Sequence, residues 1–240
     1  MGIEVSADNV VTINDQHEKG VDTSVAGNPN KSRFKGIPLF HVFKRNQRGA
    51  RRDDGNPLIH ALKDRRGFSI LPFWRNLIMS RAKAILEKSK AELEGFDFVM
   101  PMPSSSPFCA QFAEMVSQVA GAPLLASDFL RKRTVGEVLA EVKAHPPKVR
   151  PGKTSSLASQ VHAWEKMSPE SQYQAKEVDL SLRPLFSGFA MDGDIPDVQG
   201  KRVLVVDDLF ATGSSLLSVR EILGGQMGAE VCGLCFLSGT

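Results

Sequence analysis

Apolar positions along the chain change their period several times, and each change predicts an element. Over residues 1–30 they are scattered among Asn, Asp, Gly and Thr with no sustained spacing, which predicts a polar, loosely packed extension. The texture shifts near Asn56. Leu77, Ile78, Ala82, Ile85 and Leu86 recur three and four residues apart, predicting a helix over 77–93 that stops at Gly95. The run FDFVMPMP, 96–103, predicts a short buried strand ended by proline. Serines ahead of Pro107, followed by Phe108, Phe112, Met115, Val116 and Val119 on one side, predict a helix that begins at Pro107 and stops at Gly121.

Another short strand leading into a basic turn is expected in APLLASDFLRKRT, 122–134. Residues 140–190 open on a Pro-, Ser- and Lys-rich run and carry only a weak helical stretch over 162–173. A connection that long inside a compact domain usually serves as a lid or functional loop. KRVLVV, from Lys201, reads as a strand, TGSSLLSVREIL as a turn into a helix bearing Leu216, Val219, Ile222 and Leu223, and AEVCGLCFL as a last strand. This alternation predicts an α/β fold, a Rossmann-like parallel sheet of about five strands flanked by helices with right-handed crossovers.

The 240 residues suffice for one large domain, or one domain with a long appendage. The expected organisation is a polar, basic extension over 1–50 and a domain over 51–240, with a hood or flexible loop at 131–190. At 42% hydrophobic and 24% charged, the composition is that of an ordinary globular chain, which excludes wholesale disorder and fibrous repeats. A net charge of +3 does not by itself argue for nucleic acid, but the basic residues are unevenly placed. Lys31, Arg33, Lys35, Lys44, Arg45, Arg48, Arg51 and Arg52 lie in a segment without a single acid. That segment reads first as a solvated extension, with an arm for nucleic acid or a partner protein as the alternative.

No run of about 18 apolar residues could span a bilayer, so no membrane is expected. The first residues lack the apolar core of a signal peptide, and a cytoplasmic location follows as the expectation. Cys109, Cys232 and Cys235 fit a reducing compartment. Cys232 and Cys235 form a C-x-x-C inside an apolar strand with no second ligand pair, which reads as buried structural thiols rather than zinc ligands. PGKTSS, 151–156, holds the G-K-T of a phosphate-binding loop but lacks its first glycine and its preceding strand. The five histidines show no metal spacing.

The stretch RVLVVDDLFATGSS, 202–215, carries the chemistry. Ligands of an open parallel sheet collect beyond the carboxyl ends of its strands, where Asp207 and Asp208 follow Val206. The turn that follows enters a helix, so unpaired N–H groups and the helix dipole favour an anion there. Gly213 lets backbone approach that anion, and Thr212, Ser214 and Ser215 add hydroxyl donors. Carboxylates would repel the same anion, so the acids must serve another part of the ligand. A vicinal diol resolves the conflict, and the same acids can help hold a divalent cation. The expected ligand is a sugar phosphate with free 2- and 3-hydroxyls, a ribose 5-phosphate.

This stretch resembles the 5-phosphoribosyl-1-pyrophosphate (PRPP) signature of type I phosphoribosyltransferases. The wider chain is most similar to the ComF-like branch, through HALKDRRGF, FDFVMPMPSSS, LRKRT and LFSGFAMDG in that order. The resemblance implies a parallel sheet with a variable hood, and transfer of ribose 5-phosphate from PRPP to a nitrogenous base or nucleotide-like acceptor with release of pyrophosphate. It implies that Asp207 and Asp208 grip the ribose diol as the catalytic acids and meet Mg2+, directly or through water. Ala211, Thr212, Gly213, Ser214 and Ser215 would cradle the 5-phosphate. Partners would be PRPP and the acceptor, with a homodimer left open.

Two departures stand out. The cysteine-rich zinc module with which ComF-like proteins open is missing, and SSSPFCAQ stands where a basic stretch is expected. Pyrophosphate would then rest on Ser104, Ser105 and Ser106, with its charge offset by magnesium and by Arg131, Lys132 or Arg133. Two other functions stay open: a PRPP- or nucleotide-sensing protein without turnover, and a nucleic-acid-associated factor in DNA uptake, phage defence or a toxin–antitoxin pair.

Overall fold

The computed structural model describes residues 1–46, 56–104 and 106–238. In chain order the elements are β1 (Gly2–Val5), β2 (Val10–Asn14), β3 (Val21–Asp22), β4 (Asn30–Phe34), β5 (Ile37–Arg45), α1 (Pro57–Leu62), β6 (Ser69–Ile70), α2 (Pro72–Lys88), α3 (Lys90–Leu93), β7 (Phe98–Pro101) and α4 (Pro107–Ala120). There follow β8 (Leu130–Lys132), α5 (Val135–Ala144), α6 (Thr154–Glu165), β9 (Phe189–Met191), β10 (Arg202–Phe210), α7 (Ser214–Arg220) and β11 (Glu230–Ser238). They divide into two compact units, Met1–Ser127 with Gly200–Ala211 and Ala229–Thr240, and Asp128–Gln199 with Thr212–Gly228.

The first unit is built on a six-stranded sheet in the order β3-β5-β11-β10-β7, with β4 added on β5. Its pairings differ in kind: β5–β11, β11–β10 and β10–β7 are parallel, whereas β3 and β4 run antiparallel to β5. The sheet is therefore mixed, which corrects the expectation of a purely parallel one. A two-residue turn accounts for the difference. Lys35 and Gly36 both take positive φ, 47° and 85°, and join Phe34 to Ile37 as the closing pair of a hairpin. Both strands of that hairpin lie in the segment expected to be an extension.

Residues 1–45 are thus not a loose arm. Val21, Leu39, Val42 and Phe43 are buried with the sheet, while Ile3, Val11 and Ile13 anchor a separate three-stranded sheet, β1-β2-β6. Polar alternation hides them in the sequence, because β4 exposes Lys31 and Arg33 on one side and half-buries its other residues.

Val203, Leu204, Val205 and Val206 are all buried, as expected of a strand covered on both faces. Helix α4 packs against β7 and β10, and α2 against β5. Phe236 of β11 meets Phe43, Phe108 and Phe112 edge-to-face at ring separations of 5.0, 5.0 and 5.1 Å. The ends of α4 fall where its sequence signals lie: Ser106 accepts from the Phe108 N–H, Pro107 occupies the first turn, and Gly121 closes the helix at φ 68°. By contrast α2 starts at Pro72 and ends at Lys88, since proline suits a first turn and Phe73 lies outside the buried stripe.

The second unit joins β8 and β9 antiparallel and packs Val135, Val138, Trp164, Tyr173 and Phe186 into its own core. Its helices α5 and α6 occupy sequence expected to form a lid with one weak helix. Helix α5 opens with a reciprocal cap, Thr134 accepting from the Glu137 N–H while Glu137 accepts from the Thr134 N–H. Beyond Arg220, α7 continues as wider π-type turns over Glu221–Gln226. Among the described residues, no helix is long and apolar enough to cross a membrane.

Candidate functional site

Strand β10 runs on past the place where β7 leaves it. Val206 is the last residue opposite β7, paired with Pro101, and its carbonyl accepts from the Met102 N–H at 2.7 Å. On its other edge β10 stays paired to β11 as far as Phe210 opposite Ser238. Asp207 and Asp208 therefore lie within the strand and not after it, a correction to the expected boundary, yet beyond the end of the β7 ladder. Asp208 is buried at 5% exposure and Asp207 is partly exposed. The Asp208 N–H donates to Asp207 Oδ1 at 2.8 Å.

The ammonium of Lys63 contacts Asp208 Oδ2, with only 11% and 8% of the two side chains exposed. Local structure fixes that lysine. Leu58, Ile59, Ala61 and Leu62 bury α1, Asn56 caps its start by accepting from the Leu58 N–H, and Lys63 closes its end, donating its N–H to the Ile59 and His60 carbonyls. Left-handed Asp64, Arg66 and Gly67 then turn the chain away, with φ of 51°, 55° and 73°. Cys109, in the first turn of α4, hydrogen-bonds the Val206 and Met102 carbonyls at 3.4 and 3.6 Å.

The Cys109 sulfur and carboxylate oxygens of Asp207 and Asp208 lie within 4.8 Å of one another. Burial pushes Asp207 above the ordinary carboxylate range, and the Asp208 charge pushes it further, against the Asp208 N–H and the more distant Lys63. Burial also pushes the Cys109 thiol up, aided by both acids, which favours its protonated form.

These three donors could in principle hold a metal ion, but they do not suit a resident magnesium. Mg2+ wants oxygen ligands in an open octahedral set, and here one donor is a thiol and one carboxylate is taken by Lys63.

The residues expected to cradle a 5-phosphate open α7. Gly213 takes φ 72° ahead of Ser214, the Thr212 and Ser214 hydroxyls share a hydrogen bond of 3.1 Å, and Ala211 is exposed. Ser218 braces the turn by donating to the Ser214 carbonyl and accepting from the Gly188 N–H. Ser215 is partly buried.

The expected pyrophosphate residues are placed less favourably for that role. Ser106 caps α4, and Ser104 accepts from the Ser106 N–H at 3.2 Å. Ser105 lies outside the described residues. Arg131 is gripped by both Glu137 oxygens and Arg133 pairs with Glu141, so each arginine already has an acid. Lys132 is exposed and has no ion-pair partner among the described residues. In the basic segment Lys31 pairs with Glu92 at 2.5 Å, while Arg48, Arg51 and Arg52 lie outside the described residues. Lys63 is the site residue that sequence reasoning misses, although it stands inside HALKDRRGF, one of the stretches that carry the family resemblance.

No protein-family model matches the chain, and no curated protein does. Among solved structures, the chain is similar at 13% identity and a TM-score of 0.37 to an adenine phosphoribosyltransferase from Leishmania tarentolae, covering 99% of this chain and 94% of that one. It is similar at 11% identity and a TM-score of 0.37 to the adenine phosphoribosyltransferase of Leishmania donovani, covering 99% of this chain and 86% of that one.

Proposed function

We propose that the chain is a phosphoribosyltransferase of the type I class, moving ribose 5-phosphate from PRPP to a nitrogen of a nucleobase or nucleotide-like acceptor. One observation carries this reading: the buried strand β10 delivers two adjacent acids just past the end of its ladder with β7, and the chain then enters a Thr-Gly-Ser-Ser turn. Asp207 and Asp208 accept hydrogen bonds from the ribose diol, and Thr212, Gly213, Ser214 and Ser215 meet the 5-phosphate. In the reaction the C1–oxygen bond to pyrophosphate breaks, a C1–nitrogen bond forms, and the acceptor nitrogen gives up its proton. Carboxylates near the ribose favour the positive charge that develops at C1. Any divalent cation arrives with the substrate, bound to its phosphates.

A non-catalytic PRPP- or nucleotide-sensing protein is the second reading. It is favoured by the commitment of Arg131 and Arg133 to Glu137 and Glu141, which leaves the departing pyrophosphate without those arginines.

The test is calorimetric titration with Mg-PRPP, followed by pyrophosphate release across a panel of bases, nucleosides and nucleotides. Asp207→Asn is the discriminating variant, because changing Asp208 would also strand Lys63. It should lose PRPP binding and keep its fold; wild-type affinity in that variant would refute the diol role. Tight binding with no release across the panel would decide for the sensor.

A further inference from the structure

A buried acid pair of this kind is ordinarily a place where divalent cations gather, since two carboxylates a few ångströms apart repel each other unless a positive charge sits between or beside them. Here the chain supplies that charge itself. The Lys63 ammonium lies on Asp208, and both side chains are about nine-tenths buried. The backbone that carries Lys63 is held, while its four-carbon stem leaves the ammonium free to withdraw. Lys63 stands at the end of α1, whose apolar side is buried, and its backbone is tied to Ile59 and His60 on one side and to the left-handed turn through Asp64 on the other. On the acid side, Asp208 belongs to β10, which pairs with β11 on both sides of it, and the Cys109 sulfur lies within 4.8 Å of the carboxylate oxygens.

We propose that Lys63 is the resident counter-ion of the acid pair, a tethered cation that keeps free divalent metal out of Asp207 and Asp208. Metal then enters only with a ligand that can lift the ammonium from Asp208. A ligand that brings its own cation leaves the carboxylate with a counter-charge as the lysine withdraws, whereas a bare ion must win the site from a tethered ammonium with no other contact to help it. This deepens the reading above and rests on it for the identity of that ligand, but not for the behaviour toward metal alone.

The probe is Mn2+ alone, titrated into the full-length chain at low ionic strength and followed by the paramagnetic resonance of the free ion. The wild type should leave Mn2+ free. Lys63→Met should gain one Mn2+ site at least about tenfold tighter, and Lys63→Arg, which keeps the charge, should resemble the wild type. Equal binding by the wild type and Lys63→Met, or no gain in Lys63→Met, overturns the proposal. Should Lys63→Met fail to fold, Lys63→Gln is titrated with Mn2+ in the same way, and acylation of lysines mapped by mass spectrometry tests the pairing on which the proposal stands. Lys63 should react several-fold faster in Asp208→Asn than in the wild type, with exposed Lys83 unchanged as the internal standard, and unchanged Lys63 reactivity overturns it. Calorimetry with Mg-PRPP is a separate arm. Its failure in the wild type would remove the phosphoribosyltransferase reading and leave the metal result standing.

Discussion

Replacing Asp207 by Asn should stabilise the fold near neutral pH. The carboxylate oxygens of Asp207 and Asp208 lie within 4.8 Å, and two unit charges at that distance repel by about 3.5 kcal/mol at an effective dielectric of ~20. Lys63, in contact with Asp208, offsets a large part of this, and the Asp208 N–H on Asp207 Oδ1 returns about 1.5 kcal/mol. Adding the burial of a charged group leaves a net cost of about 1–2 kcal/mol for ionised Asp207, in the same direction as its raised pKa. Asparagine keeps the Oδ1 acceptor and removes the charge. Because folded Asp207 holds its proton above the ordinary 3.8, the folded state binds more protons than the unfolded one between that value and the raised one. Stability from this residue is therefore fully present below the ordinary value and is lost as pH rises through the raised one. The gain from Asp207→Asn should be close to nothing near pH ~4 and reach about 1–2 kcal/mol near pH ~8. Urea unfolding of both proteins at the two pH values measures it. A variant less stable than the wild type at the higher pH, or a difference that ignores pH, would refute the electrostatic reasoning.

Glu137 titrates in the opposite sense. Its hydrogen bonds to Arg131 and to the Thr134 N–H hold it down at about 2, so its contribution is present above the ordinary 4.5 and disappears as pH falls toward the lowered value. With about a third of the side chain exposed, Glu137→Gln should cost only about 1 kcal/mol at neutral pH, and thermal unfolding curves of variant and wild type should converge in strong acid. Phe236→Ala removes the ring that Phe43, Phe108 and Phe112 all touch and should cost about 3–5 kcal/mol by urea unfolding; a loss under ~1 kcal/mol would mean the core collapses around the gap.

What is legible in the sequence is local. Ser106 and Pro107 mark the start of α4 and Gly121 its end, and the four-residue apolar run 203–206 announces β10, because caps and buried parallel strands leave their signal within a few neighbouring positions. The Thr134-x-x-Glu137 pattern is equally local and would have revealed α5 within the supposed lid. The N-terminal strands are lost because their pairing is long-range: β5 completes itself only against β11, and β4 presents charges on its outer side. For the same reason Lys63 escapes notice. Its partner comes from a distant strand, and no spacing rule links α1 to β10. Asp207 and Asp208 are picked out by chemistry, yet β10 continues through Phe210 along β11, a pairing between segments distant in the sequence.

The order of the sheet also sets a schedule for building it. Strand β11 lies between β5 and β10 but is translated after both, so neither can reach its final neighbour until the Glu230–Ser238 stretch has left the ribosome. Until then the backbone N–H and C=O groups of β5 on that side have no strand to pair with. Shortening the chain within β11 would not trim a margin; it would split the sheet along its middle.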